Sequence, residues 1–385
     1  MERRLELFGT LGALVFLVNF GRVVFAPLVD VFMRVFGVGE ATAGVVVTAL
    51  WLGSAAPRLP TGYLLTRVSR HRVVAGTGVF LAGASALTAA APTIQWVGVG
   101  AFLIGVASGV YFIAANPLVS ELFPERVGRA LGVHATAAQL AAVVAPTVVG
   151  AALAVGWRAV FVALAVLALG GTAALVLATR GADLPAAGAA DRDLAGAVRS
   201  QWRLVATGIA LLGTAGFVWN GVFNFYVPYL QSKAVAPGTA RTLLTGVFAA
   251  GVPAMLVTGR LADRVRPRSL LLAVLGAFAA TLAALTLAES LVAVAALSLA
   301  LGYAVHGLFP AVDTYMLGGL PDEHRGSAYA AFSAAVMLVG ATGSAVLGTL
   351  VEAGVGYDAA FRGGAALVAA VAAVLLALDR AGRLP

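Results

Sequence analysis

Gly62-Tyr-Leu-Leu-Thr66-Arg67-Val68 returns, 197 residues further along, as Gly259-Arg-Leu-Ala-Asp263-Arg264-Val265. The first copy runs on into Ser69-Arg70-His71-Arg72 and the second into Arg266-Pro267-Arg268, and each joins two long apolar runs. Leu122-Phe-Pro-Glu125 returns as Gly319-Leu-Pro-Asp322 at the same offset of 197. Gly156-Trp-Arg-Ala-Val-Phe161 returns as Gly356-Tyr-Asp-Ala-Ala-Phe361 at 200, and Asn19 and Pro27 return as Asn220 and Pro228 at 201. Matches in one order at nearly one spacing mark an internal repeat, so the 385 residues form two like halves.

Composition names the solvent. Apolar residues make up 61% of the chain and charged residues 11%, with a mean hydropathy of +0.97. An ordinary soluble domain carries about a quarter charged residues. Folding in water buries at most about three quarters of the chain's surface, so this much apolar area requires lipid. Disordered, fibrous and disulfide-rich secreted classes are excluded. The chain has no Cys, and His71, His134, His306 and His324 lack metal-ligand spacing, so neither a metal nor a cofactor is expected. The net charge of +8 comes from 24 Arg and one Lys. These flank apolar segments rather than forming a patch for nucleic acid, and no nucleic-acid partner is expected.

A bilayer-spanning helix needs about 20 apolar residues. Twelve segments qualify, at 6–33, 42–65, 73–91, 94–120, 129–154, 157–179, 204–230, 241–262, 269–288, 291–318, 326–352 and 358–378. The first is read as a membrane helix and not a cleaved signal peptide. With the N-terminus in the cytoplasm, 18 of the 25 Lys and Arg fall inside, five outside, and two, Arg22 and Arg58, within segments. That bias places both termini in the cytoplasm of a multi-pass protein of the cytoplasmic membrane. The expected organisation is a six-helix half at 1–180, a polar cytoplasmic linker at 181–203 and a second six-helix half at 204–385. The fold class is an all-α membrane protein with twelve transmembrane helices in two pseudo-symmetric halves. Two parallel repeats are the plan of transporters that work by rocking one half against the other.

The quoted stretches, with Trp157-Arg158-x-x-Phe161 opening segment six, make the chain resemble the major facilitator superfamily over essentially its whole length. That resemblance implies a secondary transporter working by alternating access, in which helices one, four, seven and ten line a central cavity. It also implies a cytoplasmic latch built on the signature loops. Gly62 and Gly259 would admit a helix of the other half. Asp263 would face a helix N-terminus, and Arg67, Arg70 or Arg264 would pair with an acid such as Glu121 or Glu125. Thr66 stands where the signature has an acid, so the first latch is expected to be the weaker. Segment four carries no Arg before Gly105-Val-Ala-Ser-Gly109, and Ala145-Pro146-Thr-Val-Val-Gly150 matches the exporters' Gly-Pro motif only in part. Both departures weigh against a proton:drug antiporter.

An Arg or Asp at the bilayer centre costs about 2.5–3.5 kcal/mol, so each is a functional candidate. Asn19, Arg22, Ala26 and Asp30 share one stripe of segment one. Arg22 either grips an anionic substrate through two hydrogen bonds or forms a fixed pair with Asp313. Arg58 shares a face of segment two with Thr48 and Trp51, and is either a site residue or a side chain snorkelling to the interface. Tyr303, His306 and Asp313 share a stripe of segment ten. Tyr303 and His306 are candidate substrate contacts. Either His306 and Asp313 exchange protons as a coupling site, or Asp313 is the counter-charge of Arg22 or Arg58 and His306 a neutral hydrogen-bonding group. Asn220 and Asn224 on segment seven, with Tyr111 and Asn116 on segment four, are candidate substrate contacts. His134 is read as a satisfied residue of the bundle.

There is no phosphate-binding Gly-Lys-Ser/Thr loop and no serine nucleophile elbow, so neither ATP as the driver nor an enzyme is expected. The expected partners are a small-molecule substrate, lipid and candidate coupling protons, and the expected working unit is a monomer. The expected substrate is a small anion such as an organic acid, phosphate or nitrate. The alternatives are a proton-coupled exporter of hydrophobic or cationic compounds, and a polytopic sensor or enzyme. On the latch reading, Asp263→Asn favours the inward-open state, because it removes a contact made only when the inside is shut. A thiol placed on the outer half of segment seven should then label differently with and without the substitution. Equal labelling removes the latch.

Overall fold

The computed structural model describes residues 2–180, 194–262 and 264–382. Most of the expected linker and Asp263 therefore lie outside the described residues. The described chain is helical throughout, with no strand among the described residues. Eleven helical stretches are long and apolar enough to cross a membrane. The remaining one, segment two, is present but broken, as Glu40–Ala55 followed by Arg58–Leu64. The cause is Pro57, which lacks an N–H and crowds the helical conformation of the residue before it.

Other breaks follow the repeat. Segment one ends its first helix at Val23, makes a single 3-10 turn at Ala26–Leu28 and resumes as Val29–Phe36. Segment seven runs as Thr214–Asn224 and, after Phe225 leaves helical geometry (φ −99°, ψ 12°), as Tyr226–Ser232. Pro27 and Pro228, equivalent in the repeat, each sit in the first turn of the piece after the break, where a missing N–H matters least. Segment eleven breaks at Thr342, between Asp322–Ala341 and Gly343–Glu352. Gly156 and Gly356, also equivalent, precede Trp157–Thr179 and Tyr357–Arg380 with φ of +131° and +75°. A side chain at either would be strained in that region.

The chain forms two compact units, Met1–Val38 with Val45–Asp191, and Gly39–Gly44 with Arg192–Pro385. In the first, Glu2–Val23 packs on Ile94–Leu122, Val127–Ala152 and Trp157–Thr179, while Arg70–Ala89 lies along Ile94–Leu122 and Trp157–Thr179. In the second, Leu291–Gly319 packs along both Pro237–Ala262 and Pro267–Thr286. Gly39–Gly44 belong to the second unit because Glu352 accepts the Ala41 N–H at 2.7 Å, and because Gly44 and Gly348 leave no room for a Cβ beside the carbonyls of Ser344 and Glu40.

Close packing repeats as well. A Cβ on Gly105 would overlap the Leu50 carbonyl, and a Cβ on Gly302 would overlap the Val247 carbonyl. Both members of the pair are displaced by the same 197 residues. Small residues let helix backbones touch where lipid offers no hydrophobic drive to associate. Gly105→Ala and Gly302→Ala should each lower the thermal midpoint in detergent, by about 1–3 kcal/mol of overpacking. Gly83→Ala, whose Cβ meets nothing within 4 Å, should not.

Candidate functional site

Arg22 is the centre of a polar site inside the first unit. Its guanidinium carbon lies 4.4 Å from the ring centre of Trp51 and 5.6 Å from that of Phe112. Its Nη1 donates to Ser108 Oγ at 3.1 Å, and its Nε is buried with no hydrogen-bond partner among the described residues. Asp30 pairs with Arg34 at 3.3 Å and Glu121 with Arg70 at 2.7 Å, and no ion pair to Arg22 forms among the described residues of that unit. Arg58, which opens the second piece of the broken segment two, donates from Nε to the Ser54 carbonyl at 3.4 Å. It is half-exposed and, carrying the same sign of charge, offers Arg22 no counter-charge. Sequence reasoning missed Ser108 and Phe112. Their spacing of four on segment four, opposite Arg22, was the available signal.

The other first-unit candidates have structural partners. Asn19 is buried and donates to the Ala138 carbonyl at 2.6 Å, tying segment one to segment five. Tyr111 is fully buried, donates to the Leu11 carbonyl at 2.7 Å and sits 3.2 Å from His134 Nε2, with the two rings stacked. Tyr111 is thus packed among three helices and does not line open space. Asn116 is exposed.

In the second unit, Asn224 Nδ2 donates to the Asn220 carbonyl at 2.8 Å and to Ser344 Oγ at 3.1 Å, and Ser344 donates to the same carbonyl. This knot ties the broken segment seven to the broken segment eleven. Asn220 Oδ1 is buried without a hydrogen-bond partner among the described residues. His306 Nδ1 lies 2.8 Å from the Gly302 carbonyl, with its ring against Trp219 and Phe248. Tyr303 does not join it. Its ring is 40% exposed and lines a crevice against segments eight and nine. Asp313 accepts from the Tyr329 hydroxyl at 2.6 Å, a partner that no local pattern announced.

The signature loops are less alike than their sequences. Thr66 hydroxyl donates to the Tyr63 carbonyl of its own turn, Arg67 lies over the Tyr63 ring at 4.5 Å, and Arg70 pairs with Glu121. Arg264 is exposed and Asp263 lies outside the described residues. Within their own halves, Gly62 and Gly259 have open space where a Cβ would stand.

Twelve apolar segments carrying polar and charged groups at mid-span define a multi-pass membrane protein. A family model described as Major Facilitator Superfamily matches residues 11–235 and 214–384, and the chain belongs to that family of transporters. The transporter YgaY of Escherichia coli O157:H7 is 30% identical over 136 residues, 35% of this chain and 34% of that protein. The MFS-type transporter YwfA of Bacillus subtilis (strain 168) is 31% identical over 140 residues, 36% of this chain and 34% of that protein. The chain thus aligns with about a third of the length of these curated relatives. Among solved structures, the nucleoside transporter NupG superposes with a TM-score of 0.82 at 14% identity, covering 98% of this chain and 99% of that one. A bacterial homolog of the human lysosomal transporter Spinster, inward-facing and occupied, gives 0.80 at 15% identity, covering 97% and 96%. At these identities the likeness is one of fold.

Tyr111→Phe removes a hydroxyl that joins the Leu11 carbonyl and His134. It should lower thermal stability by about 0.5–1.5 kcal/mol, the worth of a buried hydrogen bond. An unchanged melting midpoint would show that the hydroxyl is not structural.

Proposed function

We propose that the protein moves a small anion across the cytoplasmic membrane by alternating access, with Arg22 as the residue that grips it. The observation that carries this reading is a mid-segment guanidinium held by a ring face and one hydroxyl, with its Nε donor buried and unused. A desolvated cation–π contact is worth about 2 kcal/mol and a charged hydrogen bond about 1.5–3 kcal/mol. Together, at about 3.5–5 kcal/mol, they more than offset the roughly 2.5–3.5 kcal/mol that the bilayer charges for the ion. Arg22 is therefore sustained without a carboxylate, and its Nε edge is free for a planar bidentate contact with a carboxylate, phosphate or nitrate. Arg58 adds a second positive charge to the same field.

In this reading the positive-inside bias sets both termini in the cytoplasm, the two halves at 1–180 and 204–385 rock around the substrate, and the monomer is the working unit. Protons are the coupling ion, with Asp313 and its Tyr329 partner as the acceptor. The pairing of Arg70 with Glu121 braces the cytoplasmic loop of the first half, and Asp263 with Arg264 serves the second. Export of cations is disfavoured because the site around Arg22 offers them only like charge.

Counterflow in proteoliposomes with a panel of anions, cations and neutral solutes tests the substrate class. Arg22→Lys keeps the charge and loses the planar fork, so transport should fall about tenfold or more, and Arg22→Ala should fall further. The double variant Arg22→Ala with Asp313→Ala should fold and stay inactive. If it transports, Arg22 serves only to neutralise Asp313 and is not the anion site.

A further inference from the structure

The crevice that receives Tyr303 belongs to no part of the transport reading. Pro237–Ala262 and Pro267–Thr286 both pack along Leu291–Gly319 but hardly touch each other, and the space between them is about 810 Å³. Val257 and Leu261 form one wall, Leu270 and Val274 the other, and Tyr303 and Gly307 the floor. Val257, Leu261 and Tyr303 are 46%, 41% and 40% exposed, so this is an open apolar slot in the flank of the unit. Of the hydroxyls along it, Thr281 donates to the Ala277 carbonyl at 2.7 Å and Thr258 is buried. That leaves the Tyr303 hydroxyl as the polar group of an otherwise apolar lining, too little to hold a water-soluble ligand.

Length and charge name the occupant. From Ala250 to Leu261 the slot runs about 16 Å at 1.5 Å per residue. That is one leaflet, half of a hydrocarbon core about 30 Å thick. Leu261 and Leu270 flank the loop that joins the two helices, and Arg260, Arg264 and Arg266 stand exposed at that end. An apolar slot one leaflet deep thus opens beneath three guanidiniums at headgroup level. Guanidinium forks match phosphate oxygens. We propose that the slot holds an acyl chain of one anionic phospholipid from the leaflet on the basic side, with Arg260, Arg264 and Arg266 holding its phosphate. Each arginine near an anionic lipid surface contributes about fivefold in affinity.

The full chain, extracted from vesicles of phosphatidylcholine doped with phosphatidylglycerol, tests this by native mass spectrometry. One phosphatidylglycerol should persist on each chain after phosphatidylcholine is stripped. Arg260→Ala with Arg266→Ala should weaken that retention about thirtyfold. Ala277→Trp, which fills the slot from an exposed position and leaves every arginine in place, should abolish it. Retention by Ala277→Trp equal to the wild type, or equal retention of both lipids, overturns the proposal in favour of loose surface attraction. Should Ala277→Trp not fold, a bimane on Val274→Cys in intact vesicles decides. Phosphatidylglycerol with brominated tails should quench it more strongly than brominated phosphatidylcholine, and equal quenching overturns the site.

Discussion

In hydrocarbon a backbone N–H or carbonyl that leaves its helix finds no water to bond, and the rest of this structure depends on that constraint. It makes the described chain helical, and it confines departures from helix to places where another group replaces the lost partner. At the break in segment two, Arg58 Nε reaches the Ser54 carbonyl. Near the break in segment seven, the Asn220 carbonyl takes bonds from Asn224 and Ser344. Polar side chains that look like site residues on a helical wheel are therefore partly occupied in holding bent helices together.

The same solvent gives helices no hydrophobic reason to meet, so contact rests on shape. Gly105 against Leu50 and Gly302 against Val247 are one contact built twice. Behind Gly156 and Gly356 the ring contacts have shifted, since Phe161 packs on Phe25 at 5.4 Å whereas Phe361 packs at 4.4 Å on Tyr229, three residues beyond the equivalent of Phe25. Chemistry has diverged as well. The first half carries Arg22 within segment one, and the equivalent stretch of segment seven is neutral, with Phe223 at the matching position.

Charge within the first half follows from the magnitudes. A ring face and a single hydroxyl more than offset the penalty of placing one guanidinium in the membrane. They leave its Nε edge unanswered. A carboxylate partner holds a buried guanidinium in a fixed pair, whereas the Trp51 face stabilises the charge of Arg22 without neutralising it.

The membrane-spanning segments, the two-fold repeat and the transporter family were legible in the sequence. Apolar length, charge placement and recurrence at a fixed offset are properties of the chain before it folds. The break after Ala55 had its signal in Pro57, and the strained turns in Gly156 and Gly356. Neighbours across helices were not legible. Tyr303 and His306 share a helical stripe, yet only one is buried, because segments eight and nine part at the level of Tyr303. Tyr111 and Asn19 read as site residues and proved to be fasteners, since the carbonyls they bind, of Leu11 and Ala138, lie about a hundred positions away. Within the two halves, the glycines that admit a neighbouring backbone include Gly105 and Gly302, which no motif singled out for that contact. Periodicity along one helix tells which residues share a face. Which face meets a ring, a carbonyl or lipid is decided only when the helices pack, because that choice depends on shape across the bundle.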